Sequence, residues 1–135
     1  MENYYQPEVE CASREQIRKW QDERLAKQVK HVYDNVPYYR AKMEEKGIVP
    51  EDIKSVDDLH KLSFLTKEDL REAYPYGLLA VPLSDCVRIQ STSGTTGRRV
   101  VAFYTQHDLD LWDDCCARAI MQQAERRTMW YMCVT

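Results

Sequence analysis

Two short apolar runs, Cys86–Gln90 and Val100–Tyr104, enclose nine residues that can continue neither of them. The enclosed run is Ser91-Thr92-Ser93-Gly94-Thr95-Thr96-Gly97-Arg98-Arg99. The flanks carry Val, Ile, Phe and Tyr and read as strands, so the run reads as the loop between them. Glycine admits positive φ and lets the backbone come close to a ligand. Successive N–H groups in such a turn form an anion-binding concavity. Ser and Thr hydroxyls add donors, and one can reach a phosphate-bound Mg²⁺. A strand–loop–strand unit of this composition suits a polyphosphate. A plain hairpin turn is the simpler reading of a Ser/Thr/Gly cluster. What distinguishes this one is that hydroxyls directly flank both glycines and that two arginines follow at once. No Gly-Lys-Ser/Thr closes it, so it is not a Walker A loop, and Gly-x-Gly-x-x-Gly is absent.

Upstream of the loop the pattern is helical. Ser13 with Gln16 forms a capping box, and Ile17, Trp20, Leu25, Val29 and Val32 then recur at helical spacing. On such a stripe Trp20 reads as core, not as a ligand-stacking residue. Pro37 suits the first turn of a second helix, with Tyr38, Tyr39 and Met43 as its apolar contacts and Gly47 as its end. Pro50 to Leu62 reads as short helical turns with acidic starts at Glu51-Asp52 and Asp57-Asp58. Thr66 with Asp69 caps another helix, which stops before Pro75. Leu78–Val81 is a short apolar run expected as a further strand, beside those at Val87–Ile89 and Val100–Tyr104. Gln106 to Met121 returns to helical patterning, with Leu109, Trp112, Cys116 and Ile120 on one side and Asp108 and Asp110 in the first turn.

The chain's 135 residues fit one domain with its own core. With 44% hydrophobic and 30% charged residues it falls in the soluble globular class. A net charge of −3 with no basic patch gives no reason to expect nucleic acid. No apolar run is long enough for a membrane span, and no secretory signal is expected. The five cysteines (Cys11, Cys86, Cys115, Cys116 and Cys133) show no metal-ligand spacing. Reduced thiols and a cytoplasmic setting are the expectation. His31, His60 and His107 are scattered and are read as core or surface residues.

Thr92-Ser93-Gly94-Thr95-Thr96-Gly97 resembles the phosphate-binding loop of the adenylate-forming superfamily, which includes acyl- and aryl-CoA ligases. Four further blocks narrow the resemblance to the phenylacetate–CoA ligases: Tyr5-Gln6-Pro7-Glu8-Val9-Glu10, Tyr33-Asp34-Asn35-Val36-Pro37-Tyr38-Tyr39, Leu65-Thr66-Lys67-Glu68-Asp69-Leu70-Arg71 and Tyr74-Pro75-Tyr76-Gly77-Leu78-Leu79-Ala80-Val81-Pro82. They keep the family's order and spacing up to about Met121. Arg98 departs from the Lys or polar residue common in the family, and Arg99 from the Pro that usually follows.

The resemblance implies an α/β fold: a helical N-terminal segment (residues 1–77), then a strand–phosphate loop–strand–helix unit (78–121) that begins the large N-terminal domain of an adenylate-forming enzyme, with an incomplete sheet. It implies a reaction in which ATP and an aryl carboxylate give an acyl-adenylate and pyrophosphate, after which CoA forms the thioester and AMP leaves. ATP, Mg²⁺ and CoA are the implied cofactors. Ser93, Gly94, Thr95, Thr96, Gly97 and Arg98 are the implied nucleotide-phosphate contacts, and no residue of the chain is assigned a catalytic or metal-binding role. The family's adenine, ribose, hinge and catalytic-lysine motifs lie further along. The chain is therefore expected to be an N-terminal fragment, inactive alone and self-associating through uncovered apolar surface. The rival readings are a non-catalytic nucleotide-phosphate-binding module and a pure interaction module. Residues 122–135 leave the family pattern. Met and Trp have single codons, so a shifted frame across Met129–Cys133 reads Val, Val, an aromatic or His, then Val. Permitted codons upstream yield Ala-Gly-Arg-Thr-Lys-Asp-Asp. A frame change is the expectation for this tail.

Overall fold

The computed structural model describes residues 4–93 and 99–124. Its first half is helical: α1 (Pro7–Glu10), α2 (Arg14–Asn35), α3 (Pro37–Glu45), two 3₁₀ turns (Pro50–Asp52 and Val56–Lys61) and α4 (Lys67–Glu72). A third 3₁₀ turn, Leu83–Asp85, leads into β1 (Cys86–Ser91), β2 (Val101–Thr105) and α5 (Gln106–Ala124).

Each helix end follows from local sequence. The Ser13 hydroxyl accepts the Gln16 N–H at 3.1 Å, satisfying one of the free donors that open α2. Pro37 disfavours helical geometry in the residue before it, and Val36 accordingly stands at φ −120°, ψ 100° between α2 and α3. Arg40 covers the exposed end of α2. Its Nε donates to the Tyr33 carbonyl at 2.9 Å and its Nη2 to that of Asp34 at 2.6 Å, two acceptors without intrahelical partners. The guanidinium also lies 5.5 Å from the centre of the Tyr33 ring. At the end of α3, Gly47 takes φ +66°. The Gly47 N–H donates to Glu44 O and the Ile48 N–H to Met43 O, both at 2.9 Å, the Schellman arrangement.

The core sits where these turns converge. Val29 of α2, Met43 of α3 and Ile53 after the first 3₁₀ turn are buried together, with Leu25, Tyr33, Ile48 and Leu62 packed against them. Val36 is fully buried beside the α2–α3 junction. Asp22 fixes the second turn to α2 by accepting the Val56 N–H at 2.8 Å, and Arg18 pairs with Asp57.

Two expectations from the sequence need correction. Leu78–Val81 is not a strand. The chain curls after α4: Gly77 N–H donates to Ala73 O at 2.7 Å and Leu79 N–H to Tyr76 O at 3.0 Å. Backbone donors satisfied within a turn do not enter a ladder. A Cβ on Gly77 would lie 2.7 Å from Ala73 O, so the turn requires glycine for close approach. Ile17, at the head of the apolar stripe on which the sequence places a core Trp20, is 39% exposed, and the buried residue of that helix is Val29.

The sheet is a single antiparallel pair, with Ile89 opposite Phe103, Gln90 opposite Ala102 and Ser91 opposite Val101. The register is irregular between Cys86 and Arg88. β2 runs directly into α5 through a reciprocal cap. Thr105 N–H donates to Asp108 Oδ2 at 2.8 Å, and Asp108 N–H donates to Thr105 Oγ1 at 3.3 Å. Arg118 of α5 reaches back to donate to the Gln6 amide oxygen.

Candidate functional site

The β1–β2 hairpin carries the candidate site. Its stem closes one step beyond the ladder: Thr92 N–H donates to Val100 O at 3.0 Å, and Val100 N–H donates to Thr92 Oγ1 at 3.1 Å. Ser91, Thr92 and Ser93 are exposed at this end of the hairpin. Of the six residues expected to contact phosphate, Ser93 stands just past the stem. Gly94, Thr95, Thr96, Gly97 and Arg98 lie outside the described residues.

The sequence through the hairpin carries charge of one sign. Between Asp85 and Asp108 the sequence holds no carboxylate, while Arg88, Arg98 and Arg99 bring positive charge. Hydroxyl and guanidinium donors without a competing acidic side chain suit an anion with several oxygens. The start of α5 is not available to it, because Asp108 and Thr105 cap that end. Among the described residues no three His, Cys, Asp or Glu side chains gather as a metal site. A nucleotide polyphosphate is an anion of that several-oxygen class.

A cleft of about 480 Å³ lies beneath the hairpin, between His31 of α2, Ala73 and Tyr74 after α4, and Val101 and Phe103 of β2. Its β2 wall is braced by Tyr76, whose ring centre is 5.5 Å from that of Phe103. On the other face of the pair, Tyr104 meets Trp112 of α5 at 5.6 Å. A smaller groove of about 240 Å³ runs between α2 and α3, with Leu25, Met43, Leu62 and Phe64 in its walls and Tyr38 and Lys42 at its rim.

At that rim three ionisable side chains converge. The Tyr38 hydroxyl donates to Asp69, and Lys42 Nζ lies 3.5 Å from the same carboxylate oxygen. The Thr66 hydroxyl, the Tyr38 hydroxyl and the Thr66 N–H together hold the Asp69 carboxyl well below the ordinary carboxylate range. Desolvation, then the hydrogen bond to Asp69, push the Tyr38 phenol up. The Tyr38 contact, and after it the charge of Asp69, raise the Lys42 ammonium. The three groups satisfy one another and join α4 to α3; their chemistry here is structural.

Sequence reasoning missed the Thr105–Asp108 cap, although Thr-x-x-Asp is the pattern that identified Thr66–Asp69. It also missed the Tyr38–Asp69 contact, which spans 31 residues and has no local signature.

Part of a known fold matches this arrangement. A crystal structure of 2-hydroxyisobutyryl-CoA ligase, solved with 2-HIB-AMP and CoA in its thioesterification state, superposes with a TM-score of 0.76 at 30% identity, over 85% of this chain and 25% of that one. The same ligase in its postadenylation state with 2-HIB-AMP gives 0.70 at 26% identity. The helices, hairpin and α5 thus have the fold of adenylate-forming CoA ligases, in keeping with an incomplete N-terminal domain of such an enzyme. Among curated proteins, the phenylacetate-coenzyme A ligase of Thermus thermophilus is 41% identical over 125 residues, 93% of this chain and 28% of its own length. That of Pseudomonas putida is 44% identical over 119 residues, and that of Escherichia coli 43% over 112. No protein-family profile matches the chain. The chain belongs to the phenylacetate–coenzyme A ligase family, and it spans about a quarter of the length of the relatives it matches.

Proposed function

We propose that this chain supplies the nucleotide-phosphate hairpin of an AMP-forming phenylacetate–CoA ligase. The observation that carries the reading is the closed Thr92–Val100 stem, presenting a Ser/Thr/Gly/Arg run in a chain 41% identical to such a ligase. In the proposed reaction a phenylacetate oxygen attacks the α-phosphorus of ATP and pyrophosphate leaves. The CoA thiol then attacks the acyl carbon and AMP leaves. Ser93, Thr95, Thr96, Arg98 and the N–H groups around Gly94 and Gly97 are assigned to the β- and γ-phosphates, where fixed donors hold charge without reorganising. ATP brings Mg²⁺, and CoA is the second substrate.

We further propose that the 135 residues make no thioester by themselves. Holding the carboxylate in line with the α-phosphate and bringing in the thiol both need groups the resemblance assigns elsewhere in the ligase. Cys11, Cys86, Cys115 and Cys116 are free thiols, and they suit the reducing cytoplasm, where this reading places the protein. Among the described residues no helix is long and apolar enough to cross a membrane.

The test is titration of the purified chain with MgATP, alongside Gly94→Val and Gly97→Val. A β-branched residue resists positive φ, so both variants are expected to lose the binding seen in the parent. Equal ATP affinity in all three would remove the phosphate role, and no binding in any would leave the interaction-module reading.

A further inference from the structure

Arg99 is the first residue described on the β2 side of the loop. The register that sets Ser91 opposite Val101, continued past the Thr92–Val100 closure, brings Ser93 and Arg99 to the next opposing positions. Arg99 is exposed, and among the described residues it has no hydrogen bond or ion pair. The carboxylates that bound the hairpin in sequence are engaged locally. Asp85 accepts from the Ser84 hydroxyl at 3.1 Å. Asp108 Oδ2 accepts from both the N–H and the hydroxyl of Thr105 at 2.8 Å. Proline usually stands at the position of Arg99 in the family, so this charge is the chain's own.

We propose that Arg99 is a further phosphate-binding residue, a second charged contact beside Arg98 for a polyphosphate at this hairpin. The proposal deepens the phosphate role given above and rests on it. A hydroxyl or a backbone N–H brings one neutral donor. A guanidinium brings a full charge and five N–H donors in a planar fork that matches two oxygens of one phosphate. Arg99 can turn to an arriving anion with no ion pair to break. It stands across the stem from Ser93, a residue already assigned to the phosphates, so each strand contributes a donor at the open end. Contact and general charge are separable here. Arg88 is also exposed and, among the described residues, without a hydrogen bond or ion pair. It precedes Thr92 by four residues, about 14 Å along an extended strand, where salt at physiological strength screens most of its charge.

The test titrates the purified chain with MgATP and, separately, with inorganic tripolyphosphate at about 0.15 M salt. Arg99→Gln is expected to weaken binding about tenfold, as loss of one charged hydrogen-bonded contact does. Arg99→Lys keeps the charge without the fork and is expected to recover part of that loss. Arg88→Gln is expected to change affinity by less than about twofold. Circular dichroism checks that each variant keeps its helices. Tripolyphosphate binding that depends on Arg99, without MgATP binding, supports the anion contact while removing the nucleotide reading. MgATP binding that Arg99→Gln leaves unchanged overturns the proposal and keeps that reading. Equal losses in Arg99→Gln and Arg88→Gln reduce Arg99 to general charge and overturn the proposal as well. A parent chain that binds neither ligand overturns both.

Discussion

The Tyr38 hydroxyl donates to the carboxylate of Asp69, a residue that also closes the first turn of α4 by accepting the Thr66 N–H at 2.6 Å. One side chain thereby caps a helix and fastens it to α3, with Lys42 at 3.5 Å completing the charge. The joint predicts a pH dependence. The folded Asp69 carboxyl lies well below the ordinary carboxylate value of 3.8, and Lys61, Lys54 N–H and Ser55 N–H hold Asp58 at about 2. A depressed folded value means that these groups stabilise the fold above the unfolded value. The contribution is lost as pH falls below 3.8 toward the folded values. Urea midpoints are expected to hold steady above that range and to fall below it. Asp69→Asn keeps a capping side chain but removes the charge, and is expected to flatten the acid slope. An unchanged slope would mean the carboxylate is not held by these donors.

Gly47 and Gly77 are required for different reasons, and one substitution separates them. Gly47 sits at φ +66° with nothing within 4 Å of a Cβ. Gly47→Ala therefore adds backbone strain alone, about 1 kcal/mol. At Gly77 a Cβ would meet the Ala73 carbonyl at 2.7 Å. Gly77→Ala has to displace backbone and is expected to cost more. Urea unfolding of the pair gives the ranking, and a larger loss at Gly47 would contradict it.

Ile53 is 1% exposed in a core of few residues, so its loss cannot be shared widely. Ile53→Ala is expected to destabilise the helical half by about 3 kcal/mol. Phe64→Ala removes a larger side chain that is 95% exposed and is expected to change stability by less than about 0.5 kcal/mol. Helical circular dichroism against denaturant reports both. Comparable losses would mean that Phe64 is packed as Ile53 is.

The features legible in the sequence were those decided within four residues. Ser13, Pro37, Gly47 and the Thr66–Asp69 pair each mark a helix boundary that forms where it was read, because caps and φ restrictions act locally. Leu78–Val81 was misread because an apolar run states a need for burial and not the backbone state that meets it. Gly77 turns that run back onto Ala73 before any strand can pair. Ile17 carried the correct period, yet a stripe cannot say how far along a helix its neighbours reach. The Tyr38–Asp69 joint and the Arg40 clamp join residues through space and leave no spacing to read. At the candidate site, both strands were legible from Val87–Ile89 and Val100–Tyr104. The Thr92–Val100 closure was not, because a threonine gives no sign of whether its hydroxyl turns inward to the stem or outward to a ligand.

That closure yields the last prediction. Thr92 Oγ1 accepts the Val100 N–H at 3.1 Å while the Thr92 N–H is already given to Val100 O at 3.0 Å. Thr92→Val keeps the shape and the strand preference of the side chain and removes only the acceptor. The Val100 donor is exposed and can turn to water, so the fold should lose no more than about 1 kcal/mol. The effect is expected at the ligand instead. On the proposed phosphate role, a stem held by one bond rather than two leaves Ser93 less fixed, and ordering it on binding then opposes affinity. MgATP affinity is expected to fall roughly three- to tenfold, the equivalent of losing one such bond. The loss should be smaller than in Gly94→Val, which is expected to abolish binding because a β-branched residue resists positive φ. Thr92→Ser restores the acceptor and should recover most of the affinity. If Thr92→Val weakens ATP binding as severely as Gly94→Val, and Thr92→Ser does not recover it, the Thr92 methyl or hydroxyl touches the nucleotide and the stem is not its role.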